Sequence, residues 1–171
     1  QMQLADLPFT YENGRALFTL AELPRENMIL VRSKPAPKDD RIEQMRLKTV
    51  DLLKRTNWED ISAGAWYAGF YPEWKMADGL ISLLTHEHCM VRRQAAESLG
   101  RLGYAPAADA LAAQIAKETD PHALGDMLYA LAQVNDTRFP QLAQQQMSAS
   151  NQPQVRKQCL RGAQIYLAKQ P

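Results

Sequence analysis

The chain has 171 residues, 46% of them hydrophobic, with 20 basic against 19 acidic side chains. That is enough apolar material for one well-buried domain, or one domain with a short appendage, and it excludes disorder as the default state. A net charge of +1 excludes the strong overall positive charge of a dedicated nucleic-acid binder, and no apolar run approaches the roughly 20 residues that cross a bilayer.

The sequence starts at Gln1, and no charged-then-apolar leader follows. Two origins stay open: a mature protein after cleavage, or a piece of a longer one. The compartment stays open with them, between cytoplasm and export after cleavage. Residues 1–31 differ from the rest, because FTYENGRALFTL sets Asn13-Gly14 between two β-prone apolar runs and so predicts a short β-hairpin. A two-stranded hairpin is marginal in water, so it must lean on the helices or complete a sheet found elsewhere. Residues 32–39, with two prolines among charges, read as an extended linker.

A helical domain is expected over 40–171. Asp40 can cap its first helix, and Ile42, Met45, Val50, Leu52 and Leu53 supply a broad apolar face that should pack inward. From residue 32 to 56, eight basic residues face four acidic ones, which reads as the solvated side of that helix. Apolar and small residues then return every 31 or 32 positions. The copies CMVRRQAAESLGRLG (89–103), PHALGDMLYALAQVN (121–135) and PQVRKQCLRGAQIYL (153–167) align Val91, Ala123 and Val155. This period predicts four helix pairs. Outer helices should start near Asp40, Glu73, Ala105 and Arg138, and inner ones near Trp58, Cys89, Pro121 and Pro153. Pro106, Pro121, Pro140 and Pro153 fall at or near helix starts, where a missing N–H costs nothing. Gly103 and Asn135 should end two inner helices in left-handed geometry. Cys89 and Cys159 look inward two copies apart, roughly 20 Å when layers lie about 8 to 10 Å apart, too far for a disulfide. Both are expected to be buried small hydrophobes.

The segment VRRQAAESLGRLG followed by AADAL resembles HEAT repeats, most closely the short HEAT-like type of phycobilisome lyases, and the resemblance covers about residues 40–171. It implies an all-α fold, an α-solenoid wound as a right-handed superhelix of about four helix pairs, here with the short N-terminal β-hairpin added. It also implies that Arg92 and Arg156 are structural, pairing with loop acids or carbonyls, with Asp60, Glu87 and Asp120 as candidate acids. The third copy departs by carrying Leu124 at that position, and the first, NWEDISAGAWYAGFY, lacks the Val-Arg pair. Two enzymes share such scaffolds. Deoxyhypusine hydroxylase ligates iron with repeated His-Glu pairs inside inner helices, where this chain has Arg93 and Gln94; its single pair, His86-Glu87, precedes the helix, so His86, Glu87, His88 and Cys89 read as a polar turn and not a metal site. HEAT-like DNA glycosylases hold DNA in a basic groove with aromatic and acidic groups, which Trp58, Trp66, Trp74 and Asp60 bring to mind, but those aromatics sit apart from the arginines of the second and fourth copies.

In an inner helix Arg93, Glu97 and Arg101 lie opposite Val91, Ala95, Leu99 and Leu102. That face should line the concave surface. Carried through the copies, its rows read Ser62, Arg93, Gly125, Lys157; then Trp66, Glu97, Tyr129, Arg161; then Phe70, Arg101, Gln133, Ile165. One end is aromatic and the other basic. The candidate binding residues are therefore Trp66, Phe70, Arg93, Glu97, Arg101, Tyr129, Lys157 and Arg161, facing a protein or peptide partner with an apolar anchor and acidic flanks. A competing reading has Trp66, Tyr67, Phe70, Tyr71 and Trp74 floor the N-terminal hairpin. No nucleophile constellation or phosphate-cradling glycine loop is present, and His86, His88 and His122 cannot be joined to an acid and a nucleophile by spacing. The expected function is a non-catalytic protein-interaction scaffold without cofactor or metal. The alternatives are an accessory HEAT-like domain of a larger enzyme and a DNA-binding glycosylase-like protein.

Overall fold

The computed structural model describes residues 10–12, 15–17 and 40–170. The chain divides into two units, Gln1–Lys38 and Asp39–Pro171. In the first, β1 (Thr10–Glu12) and β2 (Arg15–Leu17) pair antiparallel with Thr10 opposite Leu17. The Asn13-Gly14 turn, the remainder of the expected β segment and the expected linker lie outside the described residues.

The second unit holds eight helices among the described residues: α1 (Asp40–Leu53), α2 (Trp58–Ala68), α3 (Ala77–Leu83), α4 (Cys89–Arg101), α5 (Ala108–Ile115), α6 (Pro121–Gln133), α7 (Phe139–Ala149) and α8 (Pro153–Ala168). The four inner helices begin at the residues the repeat predicts. Two outer ones begin late: the prolines near Glu73 and Ala105 first set tight 3-10 turns, Pro72–Trp74 and Ala105–Ala107, before α3 and α5 start.

Each even-numbered helix packs on the next, α2 on α4, α4 on α6 and α6 on α8, while the odd-numbered helices pack on their even partners and hardly touch one another. Packing that is close along one layer and open along the other bends the array into an arc with the even helices inside. The core lies between the layers in columns set by the period. Val91, Ala123 and Val155 are fully buried, as are Ala95, Met127 and Cys159, with Leu80 and Leu111 facing them from the outer helices. Small residues let the inner helices close up. A Cβ on Gly100 would sit 2.8 Å from the Ala130 Cα, so no side chain fits there.

Gly103 and Asn135 both adopt positive φ, 61° and 60°. The N–H of Tyr104 bonds the Leu99 carbonyl and that of Asp136 the Leu131 carbonyl, so the same helix stop recurs 32 residues on. A Cβ at Gly103 would meet nothing within 4 Å. Gly103→Ala is therefore expected to cost about 1 kcal/mol through backbone conformation alone, readable as a shift in the urea midpoint at unchanged m-value; no loss would refute the strain argument.

Two expectations fail. Ile42 and Met45 are 46% and 36% exposed, and in α1 only Thr49 is buried. The reason is that α1, at the end of the helix array, packs chiefly on α2 among the described helices, which leaves Ile42 and Met45 uncovered. Cys89, at the first position of α4, is half-buried, whereas Cys159 is buried and burial pushes its thiol up to about 11. Both are free thiols. No described helix is long and apolar enough to cross a membrane.

Candidate functional site

The inner layer brings the predicted rows together. Trp66 of α2 and Phe70, just past its C-terminus, bring their rings edge to face at 4.6 Å, and both are exposed, at 40% and 46%. From α4, the Arg101 guanidinium lies 4.0 Å over the Phe70 ring while its Nη2 donates to Glu97 at 2.6 Å. Glu97 also accepts from Gln94 at 2.9 Å. On α8, Arg161 lies 4.6 Å over Tyr129 of α6 and donates to Gln158 at 3.0 Å. Lys157 is exposed, one turn before Arg161. Ser62 and Gly125, which share the Arg93 row, are buried; Gly125 is packed against Gln158.

Sequence reasoning missed the residue that joins the basic end to the rest. Asp126, only 8% exposed, accepts from Arg93 of α4 at 2.9 Å and from Gln158 of α8 at 2.5 Å, tying three inner helices through one carboxylate. A signal existed in the column one residue after Arg93, where Gln94, Asp126 and Gln158 recur every 32 positions as a polar row beside the small residues. Above Asp126 opens a cavity of about 390 Å³ lined by Arg93, His122, Asp126, Gln154, Lys157 and Gln158, with Pro153 at its edge.

Between the aromatic and basic ends, a donor and an acceptor go unmet. Arg101 Nη1 and Gln133 Oε1, from neighbouring helices in one row, have no hydrogen-bond partner among the described residues.

Arg92 takes another role. It donates to both carboxylate oxygens of Glu118 at 2.6 Å and to the carbonyls of His86 and Glu87 at 2.9 Å. The partner is thus Glu118, in the loop before α6, and none of the expected Asp60, Glu87 and Asp120 carboxylates; Asp120 instead caps α6, accepting from His122 and Ala123 N–H. Arg156 is exposed and reaches only Asn151, at 3.4 Å. His86 and His88 serve the turn: His86 Nδ1 accepts from the His88 N–H, His88 Nδ1 accepts from the Met90 N–H, and the His88 ring stacks on Trp58 at 4.0 Å. Among the described residues no three His, Cys, Asp or Glu side chains converge as a metal set would.

The family model described as HEAT repeats matches residues 48–132 and, overlapping, 77–164. The two matches together span well over half of the chain. They concern the repeat as a class and do not single out the short phycobilisome-lyase type. No curated protein matches the chain.

Proposed function

This chain belongs to the HEAT-repeat family, and from that premise we propose that it is a non-catalytic scaffold whose inner helix layer binds a protein or peptide partner. HEAT arrays generally mediate protein–protein interaction through extended surfaces on a repetitive core. The observation that carries the reading is the exposed Trp66–Phe70 pair beside Arg101, on the face that continues through Arg93 and Tyr129 to Lys157 and Arg161. Aromatic and arginine side chains supply most interface energy, and a guanidinium held over a ring is already ordered before a partner arrives. The two ends suit an apolar anchor at Trp66 and acidic flanks at Lys157 and Arg161.

The test compares proteins retained from lysate by the wild-type chain, Trp66→Ala and Tyr129→Ala. Both variants should keep the helical circular dichroism spectrum and lose about 2 kcal/mol of binding, roughly 30-fold in Kd, for the same partner. Undiminished retention by both would remove this face from the interface.

A further inference from the structure

The cavity above Asp126 is polar, and its charges are unbalanced. Both Asp126 oxygens are occupied, by Arg93 and by Gln158, so the floor of the cavity is a neutral pair with no claim on further cations. Over this floor stand His122 and Lys157, both exposed, and neither side chain makes a hydrogen bond or ion pair with a described residue. One turn along α8, Arg161 has only the ring of Tyr129 and the neutral amide of Gln158. Helix α8 contains Arg156, Lys157 and Arg161 and not one acidic residue. No side chain caps its N-terminus at Gln152, so the positive end of a 16-residue helix dipole adds to the same mouth.

We infer that this cavity is a carboxylate socket. It takes an Asp or Glu side chain from an extended peptide segment of the partner, with Lys157 as its cationic wall and the His122 imidazole as a hydrogen-bonding wall beside it, and a second acid on that segment meets Arg161. The inference rests on the reading of the inner layer as a protein-binding face and names the chemistry of its basic end. A nucleic-acid strand fits less well. The unpaired cations here are few for a run of phosphates, and the chain as a whole carries only +1. A single carboxylate needs no more than the one or two cations at this mouth.

The experiment is a nuclear magnetic resonance titration of the ¹⁵N-labelled full chain at low salt, using N-acetylated, C-amidated hexaglutamate as the probe, with hexalysine and a single-stranded 12-mer DNA as comparisons. Hexaglutamate should move the amides of residues 122–126 and 153–158 in a saturable way, and hexalysine should not. Lys157→Glu, at an exposed position, should fold normally and weaken binding about tenfold or more, and His122→Ala should weaken it less. Absence of shifts at those amides, or equal binding by Lys157→Glu, would overturn the socket. Tighter binding of the DNA than of hexaglutamate would overturn it in favour of a phosphate site. Shifts confined to the Trp66 indole would sink the socket but leave the protein-binding reading standing. Loss of the Trp66 dependence in the retention assay, with the socket titration intact, would do the reverse.

Discussion

Arg92→Ala should cost about 3 to 5 kcal/mol of stability, a loss matched only by its partner Glu118 among the charged residues described. The Glu118 side chain is 1% exposed and that of Arg92 13%. Removing the guanidinium strands a carboxylate whose two oxygens it had paired and covered, and frees the His86 and Glu87 carbonyls as well. Glu118 Oε1 also accepts from the Thr119 and Asp120 N–H groups, so the pair pins the turn before α4 to the loop before α6. Glu118→Ala leaves the opposite charge uncompensated and should cost a similar amount, whereas the double variant should lose clearly less than the sum of the two. Urea unfolding of the four proteins measures this. Single losses below about 1 kcal/mol would mean the pair is solvated and the argument from burial is wrong.

The same pair sets an acid limit. Burial pushes the Glu118 carboxyl upward, but the Arg92 guanidinium and the Asp120 N–H outweigh it and hold the group below its ordinary 4.5. A folded-state value below the unfolded one means the contribution is complete above about pH 4.5 and is lost as pH falls through the folded value. Wild type should therefore lose stability below pH 4.5 more steeply than Glu118→Gln, which has no proton to take up there.

Phe139→Ala should remove about 3 to 5 kcal/mol, concentrated in the α7–α8 pair. Phe139 is 2% exposed, 5.6 Å from the Tyr166 ring, and its edge occupies the space that a Cβ on Gly162 would need, 2.8 Å from that position. Among the described helices, α8 has one inner neighbour, α6, and the ring is its anchor on the outer side, from α7, for the helix that carries Lys157 and Arg161. Because a repeat array gains stability pair by pair, amide exchange should accelerate over residues 139–168 far more than over 58–101. Uniform acceleration would refute that locality. A second variant sharpens the test: Gly162→Ala should destabilise the wild type, where the new methyl meets the ring, and should cost clearly less in Phe139→Ala, where the ring is gone, the 3.1 Å approach to Ala132 is left and alanine is the better helix former.

The repeat period made the inner layer legible because each copy repeats one packing problem, and Trp58, Cys89, Pro121 and Pro153 open their helices as expected. The ring and guanidinium partners were legible too: Phe70 with Arg101 and Tyr129 with Arg161 are neighbours along a row from one helix to the next. What the pattern could not report is coverage. The apolar character of Ile42 and Met45 is plain in the letters, but whether another element lies over them is a property of the array. Glu118 escaped because its partner stands 26 residues away, outside any column, and the loop that presents it has no period. Asp126 escaped because a lone acid among small residues reads as a solvated position until α4 and α8 are seen to close over it.

The close approaches along the inner layer act as a gauge for the whole arc. Gly69 faces Ser98, Gly100 faces Ala130, and a Cβ on Gly162 would sit 3.1 Å from that of Ala132, each an approach that a single methyl would change. With the outer helices hardly touching one another among the described residues, these approaches dominate the pitch. The span between Trp66 and Lys157 is thus set by the absence of single methyl groups at buried positions.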